Sequence, residues 1–301
     1  MDFDQRVIEE FRANNGQVGD PFEGASLILL TTVGARTGKP HTTPAGYLRD
    51  GDRYLVFGSP ADHSQHPDWY QDVLADPHLT VELGTEGGAV KPFAARAVVL
   101  EGEERDRCWE LRRSRDPGFR AYAEQAEQAE RPVPVVALHL LDLAGNPERN
   151  RMIGQQLVLH HRDLRAELHR ARAAIDRVLA GEPAPEPEAD LAARMRRHCL
   201  TFCYALQAHH LQEEGTFTAF EKQFPHLAPA ITRLRQEHAV VERALTEFEA
   251  LVGGAAEGLP GDPADAEKLR AELDRLVTGL EEHFAYEERH LLPALGTPLP
   301  S

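Results

Sequence analysis

The second half of the chain repeats apolar residues at intervals of three and four, the spacing that lines one face of an α-helix. This pattern predicts four helices, at about 155–180, 191–224, 225–253 and 266–292. A proline-rich stretch at 181–190 and a glycine-rich stretch at 253–265 interrupt the pattern and are predicted to be loops. Helices of this number and length favour an up-down four-helix bundle.

The first half has a different pattern, with short apolar runs bounded by glycine, proline and aspartate. The runs predict strands at 26–32, 42–48, 53–58, 79–84, 89–100 and 133–141, and helices at 3–14, 66–77, 101–113 and 118–130. Short strands at hairpin spacing favour a small β-barrel with peripheral helices over a doubly wound sheet. No GxGxxG motif follows a strand, which argues against a Rossmann dinucleotide site.

The composition changes between 141 and 155, where polar residues replace the strand pattern and Asn146 and Pro147 are predicted to break the chain. We place the domain boundary there. The predicted fold is therefore α+β with two domains, a barrel domain at 1–145 and a helical domain at 153–297.

Histidines lie on the apolar stripe of each predicted bundle helix, and three of them have a glutamate four residues later. The stripe histidines are His161, His209, His238 and His283, and the glutamates are Glu213, Glu242 and Glu287. Residues at i and i+4 stack on one helix face, so each pair can direct an imidazole and a carboxylate to one point. The phase favours His209 over His210 and Glu287 over Glu288 as ligands.

A carboxylate on a core-facing stripe is costly to bury unless it is paired or bound to a metal. Hydrogen-bonded structural histidines and a metal-free helical scaffold are the alternatives. Three glutamates beside histidines favour a metal site, and both iron and manganese suit histidine and carboxylate ligands.

Composition narrows the functional classes. The formal net charge of −16 argues against nucleic-acid binding, which needs a basic face. No run of 18 apolar residues occurs and the first ten residues are acidic, so we expect a soluble, cytoplasmic protein without a transmembrane segment. Three cysteines are too few for a disulfide framework.

The motif TTVGARTGKPHTTP (31–44) places Arg36 and Lys39 in a glycine-containing turn after a strand. Backbone N–H groups and two cations in such a turn suit an anionic phosphate tail. A solvated basic hairpin tip is an equally good interpretation of the spacing alone.

The histidine-bearing pieces LHHRDL, AHHLQEEGTF, EHAVVERAL and EEHFAYEERHLLPAL resemble the hemerythrin-like (HHE cation-binding) family over about 155–296. The resemblance implies a non-haem di-iron centre in a four-helix bundle. It implies histidine ligands at His161, His209, His238 and His283 and bridging carboxylates at Glu213 and Glu287. Oxygen-carrying members have a second histidine where this chain has Glu242, so a harder, more anionic ligand is expected there. Chemistry with peroxide or nitric oxide, or sensing, is then expected in place of reversible dioxygen carriage.

The segment 5–141, with TTVGARTGKPHTTP and HPDWYQDVLADP, resembles the deazaflavin-dependent nitroreductase family. The resemblance implies a split β-barrel that binds coenzyme F420 and reduces quinones or nitro compounds. It assigns the cofactor tail to residues Arg36, Thr37, Gly38, Lys39, Thr43 and Pro44. It assigns the pocket beside the ring to Trp69 and Tyr70, and Tyr70 or Tyr47 is our candidate proton donor.

Two positions depart from that family. His41, which the resemblance places among the cofactor-binding residues, stands where arginine is usual, and Pro60, Ala61 and Asp62 stand where Lys-Gly-Gly is usual. Each lost cation removes a charge-assisted hydrogen bond worth about 1.5–3 kcal/mol. We therefore expect either a deazaflavin-dependent reductase fused to a di-iron bundle, or a sensor of oxygen, nitric oxide or iron with a degenerate cofactor barrel.

Overall fold

Every strand in the part of the chain that the structure describes lies before residue 141. The structure is a computed structural model and describes residues 3–20, 22–58, 66–116, 118–120, 123–124, 133–180, 191–254 and 263–300. The chain divides into two compact units. One comprises Met1–Asp142 with Leu211–Ala219, and the other comprises Leu143–His210 with Phe220–Ser301.

The described residues of the first unit form six strands in a closed antiparallel barrel. The strands are β1 Leu27–Val33, β2 Pro40–Asp50, β3 Arg53–Phe57, β4 His78–Gly84, β5 Val90–Leu100 and β6 Val135–Leu140, in the spatial order β1-β2-β3-β6-β5-β4. Three helices accompany them, namely α1 Phe3–Ala13, α2 Asp68–Ala75 and α3 Gly102–Arg115. The predicted barrel and its strand positions are confirmed to within a few residues.

Strand β1 shows why an almost continuous apolar run forms here. Its alternate side chains enter two different cores: Ile28 and Leu30 pack inside the barrel, while Leu27 and Leu29 pack against Phe11 of α1. Successive side chains of a strand point to opposite faces, so a strand covered on both faces loses the polar alternation.

The predicted helix at 118–130 is described only at 118–120 and 123–124, which are helical, and its remainder lies outside the described residues. The predicted loops at 181–190 and, for the most part, at 253–265 also lie outside them.

After residue 142 the described chain is mainly helical, and its long helices share one apolar core. They are α4 Pro147–Leu179, α5 Leu191–Gln223, α6 Ala228–Gly254 and α7 Pro263–Ala294, with a 3-10 turn at Pro225–Leu227. All four supply buried side chains to this core, among them Ile175, Phe202, Phe248 and Leu273. Within the described residues, no helix is both long and apolar enough to cross a membrane.

Helix α4 begins at Pro147, earlier than the predicted start near 155. Asn146 caps the helix, because its Oδ1 accepts a hydrogen bond of 2.9 Å from the backbone N–H of Arg149. Proline has no N–H to lose at the first helical position, and its fixed φ suits that position. The prediction that Asn146 and Pro147 break the chain was therefore wrong in one respect: they start a helix.

A tight contact in the barrel unit generates a stability prediction. Gly16 has φ +85°, and a Cβ there would lie 2.9 Å from Cα of Gly84. Gly24 has φ +75° with no atom within 4 Å of such a Cβ. We expect Gly24→Ala to cost about 1–2 kcal/mol of unfolding free energy through left-handed backbone strain. Gly16→Ala should cost about 1–3 kcal/mol more, because it also forces the two backbone segments apart.

Urea denaturation followed by tryptophan fluorescence checks this difference. The chain has two tryptophans, Trp69 and Trp109, and both lie in the barrel unit, so their emission reports the unfolding of that unit. Equal losses in the two variants would contradict the close approach of Gly16 to Gly84.

Candidate functional site

Among the described residues, two groups of buried side chains have the composition of metal sites. One group is His210, Glu213, His238 and His283, and the other is His161, His209, Glu213 and Glu287. Within each group, the candidate ligand atoms lie within 4.8 Å of one another. Glu213 belongs to both groups, so its two carboxylate oxygens can serve two neighbouring ions.

Each helix contributes to the groups from its core-facing stripe. Helix α4 supplies His161, α6 supplies His238, and α7 supplies His283 and Glu287 one turn apart. Helix α5 supplies the remaining ligands, His209, His210 and Glu213. On α5, Leu206 and Phe217 are fully buried above and below them. The apolar neighbours thus fix the helix face that carries the polar side chains inward.

The distances inside the groups fit a metal ion. The Nε2 atoms of His238 and His283 lie 3.2 Å apart, and Nε2 of His161 lies 3.2 Å from Oε2 of Glu287. Two ligand atoms bound side by side to one ion at about 2.1 Å are separated by about 3 Å. Glu213 and Glu287 are also buried carboxylates, which a bound cation would neutralise. The residues present therefore fit a histidine–carboxylate metal site.

Two further glutamates contact the back of the histidines. Nδ1–H of His161 donates to Oε1 of Glu288 at 2.7 Å, and Nδ1–H of His283 donates to Oε2 of Glu237 at 2.8 Å. Because each carboxylate accepts at Nδ1, each ring directs Nε2 at the other candidate ligands of its group, Glu287 for His161 and His238 for His283.

The charge state of Glu237 follows from its neighbours. Partial burial raises the pKa of this carboxyl, but hydrogen bonds from His283 and Arg233 outweigh burial and leave the pKa below its ordinary value. Glu237 is therefore an anion at neutral pH beside the imidazole of His283.

The structure brings together six of the seven metal ligands that the sequence suggested. The exception is Glu242, which lies on the exposed face of α6 and belongs to neither group. His210, which the helix phase had placed at the edge of the stripe, belongs in its place to the group of His238 and His283. Adjacent histidines on a helix differ by about 100° in direction, so the HH pair can reach two neighbouring points. The His209-His210 dipeptide is therefore the sequence feature that could have indicated His210 as a candidate ligand.

The candidate cofactor-binding turn connects β1 to β2. The backbone N–H of Gly34 donates to the carbonyl of Lys39 at 3.0 Å, and Gly38 has φ +68°. The Arg36 side chain is 88% exposed, with Asp68 3.5 Å away, so its guanidinium is accessible to a ligand. Thr37 also lies in the turn, and Thr43 and Pro44 follow on β2, opposite Leu30 and Leu29 of β1.

A buried carboxylate, Asp72 of α2, holds this turn. Its oxygens accept hydrogen bonds of 2.8 Å from the hydroxyl of Thr32 and the backbone N–H of Ala35. Nε2 of His41 lies 3.2 Å from Asp72 Oδ2. The ring of His41, predicted from the sequence to help hold the cofactor, is thus directed at Asp72. Pro60, Ala61 and Asp62 lie outside the described residues.

The aromatic candidates have different settings. Trp69 is buried in the barrel core, whereas Tyr47 and Tyr70 are half-buried at the margin of the same core. Burial and the neighbouring Tyr54 raise the pKa of Tyr47 above its ordinary value. The Tyr47 phenol therefore keeps its proton at neutral pH.

Comparisons with known protein families give one match in each half of the chain. The family model "F420H(2)-dependent quinone reductase" matches residues 5–139, and the model "Hemerythrin HHE cation binding domain" matches residues 152–296.

Similar proteins match the first part of the chain. An F420H(2)-dependent quinone reductase of Mycobacterium tuberculosis (strain ATCC 25618 / H37Rv) is 32% identical over 131 residues, covering 42% of this chain and 83% of that protein. A putative F420H(2)-dependent quinone reductase of Mycobacterium bovis matches equally well. The solved structure of an F420-H2 dependent reductase (FDR-A) is 33% identical, with a TM-score of 0.32, and covers 38% of this chain and 93% of that chain. The chain therefore belongs to the F420H(2)-dependent quinone reductase family, and it carries a hemerythrin HHE cation binding domain fused to its reductase barrel.

Proposed function

We propose that this protein is an F420H2-dependent oxidoreductase that reduces a small-molecule quinone in its barrel and holds a non-haem di-iron centre in its bundle. Family membership supports the reductase activity. The observation that carries the di-iron centre is Glu213, which is shared by two buried histidine–carboxylate groups. A degenerate barrel acting only as a sensor is not favoured, because the chain covers most of the length of its reductase relatives.

In the barrel, the proposed cofactor site is the turn at 34–39. Arg36 and Lys39 supply cations for the acidic tail. The backbone N–H groups of Thr37 and Gly38 donate to the carbonyl of Gly34 at 3.2 and 2.7 Å and thereby hold the turn that presents these cations. When bound, F420H2 supplies a hydride to the quinone or to a nitro compound. The protonated phenol of Tyr47, with Tyr70 as the other candidate, would supply the proton that the reduced oxygen needs. Trp69 is buried in the same core with its ring edge-on to that of Tyr70, and it helps to keep water out of the core.

In the bundle, we assign His161, His209 and Glu287 to one ion, His210, His238 and His283 to the other, and Glu213 to both. The first ion thus receives two carboxylates and the second receives one. Hard carboxylate oxygens stabilise the higher oxidation state, so the two positions are chemically unequal. Iron bound there supplies one-electron redox chemistry toward dioxygen, peroxide or nitric oxide.

Metal content distinguishes this ligand set from the one that the sequence suggested. Wild-type protein from iron-supplemented cells should contain about two irons per chain. His210→Gln should contain one or fewer, because one group loses a ligand, whereas Glu242→Gln should retain both, because its carboxylate is exposed. Elemental analysis gives the stoichiometry, and circular dichroism confirms that each variant is folded.

The opposite pattern, with iron lost from Glu242→Gln and kept in His210→Gln, would restore the ligand set that helix phase indicated. Wild-type protein without metal would overturn the di-iron proposal altogether.

Cofactor binding tests the turn. Arg36→Gln and Lys39→Gln should each weaken F420H2 binding by about tenfold or more, since a charge-assisted hydrogen bond contributes about 1.5–3 kcal/mol. Lys91→Gln is the matched control, because Lys91 is an exposed cation on β5, away from the turn. Fluorescence titration gives the dissociation constants. If all three variants bind as the wild type does, the tail lies elsewhere.

Asp72 should contribute to the stability of the barrel through the turn that it holds. Asp72→Ala leaves the Ala35 N–H and the Thr32 hydroxyl without their acceptor, and should lower the unfolding free energy by about 1–3 kcal/mol. Asp72→Asn retains an acceptor oxygen and should lose less. Asp52→Ala, at an exposed hairpin tip, should stay within about 0.5 kcal/mol of the wild type. Tryptophan fluorescence in urea measures these free energies. An Asp72→Ala variant as stable as the wild type would show that the turn does not depend on Asp72.

A further inference from the structure

Each metal group contains one histidine whose outer nitrogen contacts a glutamate from a different helix. Glu288 of α7 accepts from His161 of α4 at 2.7 Å, and Glu237 of α6 accepts from His283 of α7 at 2.8 Å. These glutamates belong to neither ligand group in the described part of the chain. Each of them contacts a candidate ligand and not a proposed ion, and each accepts at the Nδ1 nitrogen of its histidine.

An arginine stands on the outer side of each glutamate, at different distances. Nε of Arg233 donates to Oε1 of Glu237 at 2.6 Å. Nη1 of Arg165 lies 3.8 Å from Oε1 of Glu288, and Nε of Arg165 donates to Glu281 at 2.9 Å. Glu237 therefore shares its charge directly with an arginine, whereas Glu288 does so only weakly.

The two glutamates also differ in solvent exposure, and the one that pairs less closely with an arginine is the more buried. The Glu237 side chain is 27% exposed and the Glu288 side chain is 9% exposed. Water screens a charge less effectively as burial increases, so Glu288 acts on its histidine through a lower effective dielectric.

We infer that Glu237 and Glu288 are positioning residues that tune the two iron ions through His283 and His161. The inference rests on the di-iron centre proposed above. A carboxylate that accepts the Nδ1 proton orients the ring and makes Nε2 a more basic ligand. Stronger donation favours ferric over ferrous iron. Glu288 has the larger effect, because its charge is less shared and less screened.

The test uses the full-length iron-loaded protein and the variants Glu237→Gln, Glu288→Gln and the double substitution. Glutamine keeps an oxygen that accepts the Nδ1 proton but removes the negative charge. Competition with an iron chelator should show a 10- to 100-fold lower iron affinity in each single variant. An anaerobic redox titration should show a midpoint potential shifted to more positive values, with the larger shift in Glu288→Gln.

The matched controls are Glu247→Gln on α6 and Glu282→Gln on α7, both of which replace exposed glutamates on the same helices. Thermal unfolding of each metal-free variant separates a loss of fold from a loss of tuning. If metal-free Glu288→Gln does not fold, the more exposed Glu237 still provides the test.

The inference is overturned if wild-type protein holds two irons while both single variants match the controls in affinity and in potential. A larger shift in Glu237→Gln than in Glu288→Gln overturns the argument from burial and charge sharing. Wild-type protein that holds no iron overturns the di-iron proposal itself, which is a distinguishable result.

Discussion

Burying Glu213 and Glu287 in the core of the bundle is the constraint on which the four helices depend. Two carboxylates in an apolar interior are unfavourable unless positive charge and hydrogen bonds offset their desolvation. Imidazole binds metals in its neutral form, and neutral histidines supply no positive charge to offset the two carboxylates. The core is therefore built to be completed by cations, and the apolar residues along each stripe hold the ligands at the right height.

The barrel meets a related problem on a smaller scale with Asp72. This buried carboxylate is satisfied by a hydroxyl, a backbone N–H and the ring of His41. Its donors all come from β1, β2 and the turn between them.

Much of the fold could be predicted from the sequence, because the spacing of apolar residues identifies most of its helices and strands. The long stripes located the bundle helices, and the hairpin spacing located the barrel strands. The misses have specific physical causes. Helix phase assigned Glu242 to the stripe because it lies four residues after His238, but the Glu242 side chain is exposed on α6. Phase also separated His209 from His210, although a dinuclear centre is wide enough for both. Pro147 was interpreted as a breaker because its cap, Asn146, acts through a side-chain contact that spacing alone does not reveal. Sequence spacing does not single out Glu237 and Glu288, since the histidines that they contact lie on other helices.

The two-sided burial of β1 has a consequence for how the barrel finds its alignment. Shifting the strand by one residue would exchange Ile28 and Leu30 for Leu27 and Leu29, and both sets are apolar. Hydrophobic burial alone therefore discriminates poorly between the two registers. The choice falls to the polar end of the strand, where the hydroxyl of Thr31 lies 2.9 Å from that of Thr42 and Thr32 donates to Asp72. The contacts that shape the turn between β1 and β2 thus also select the native pairing of the strand that leads into it.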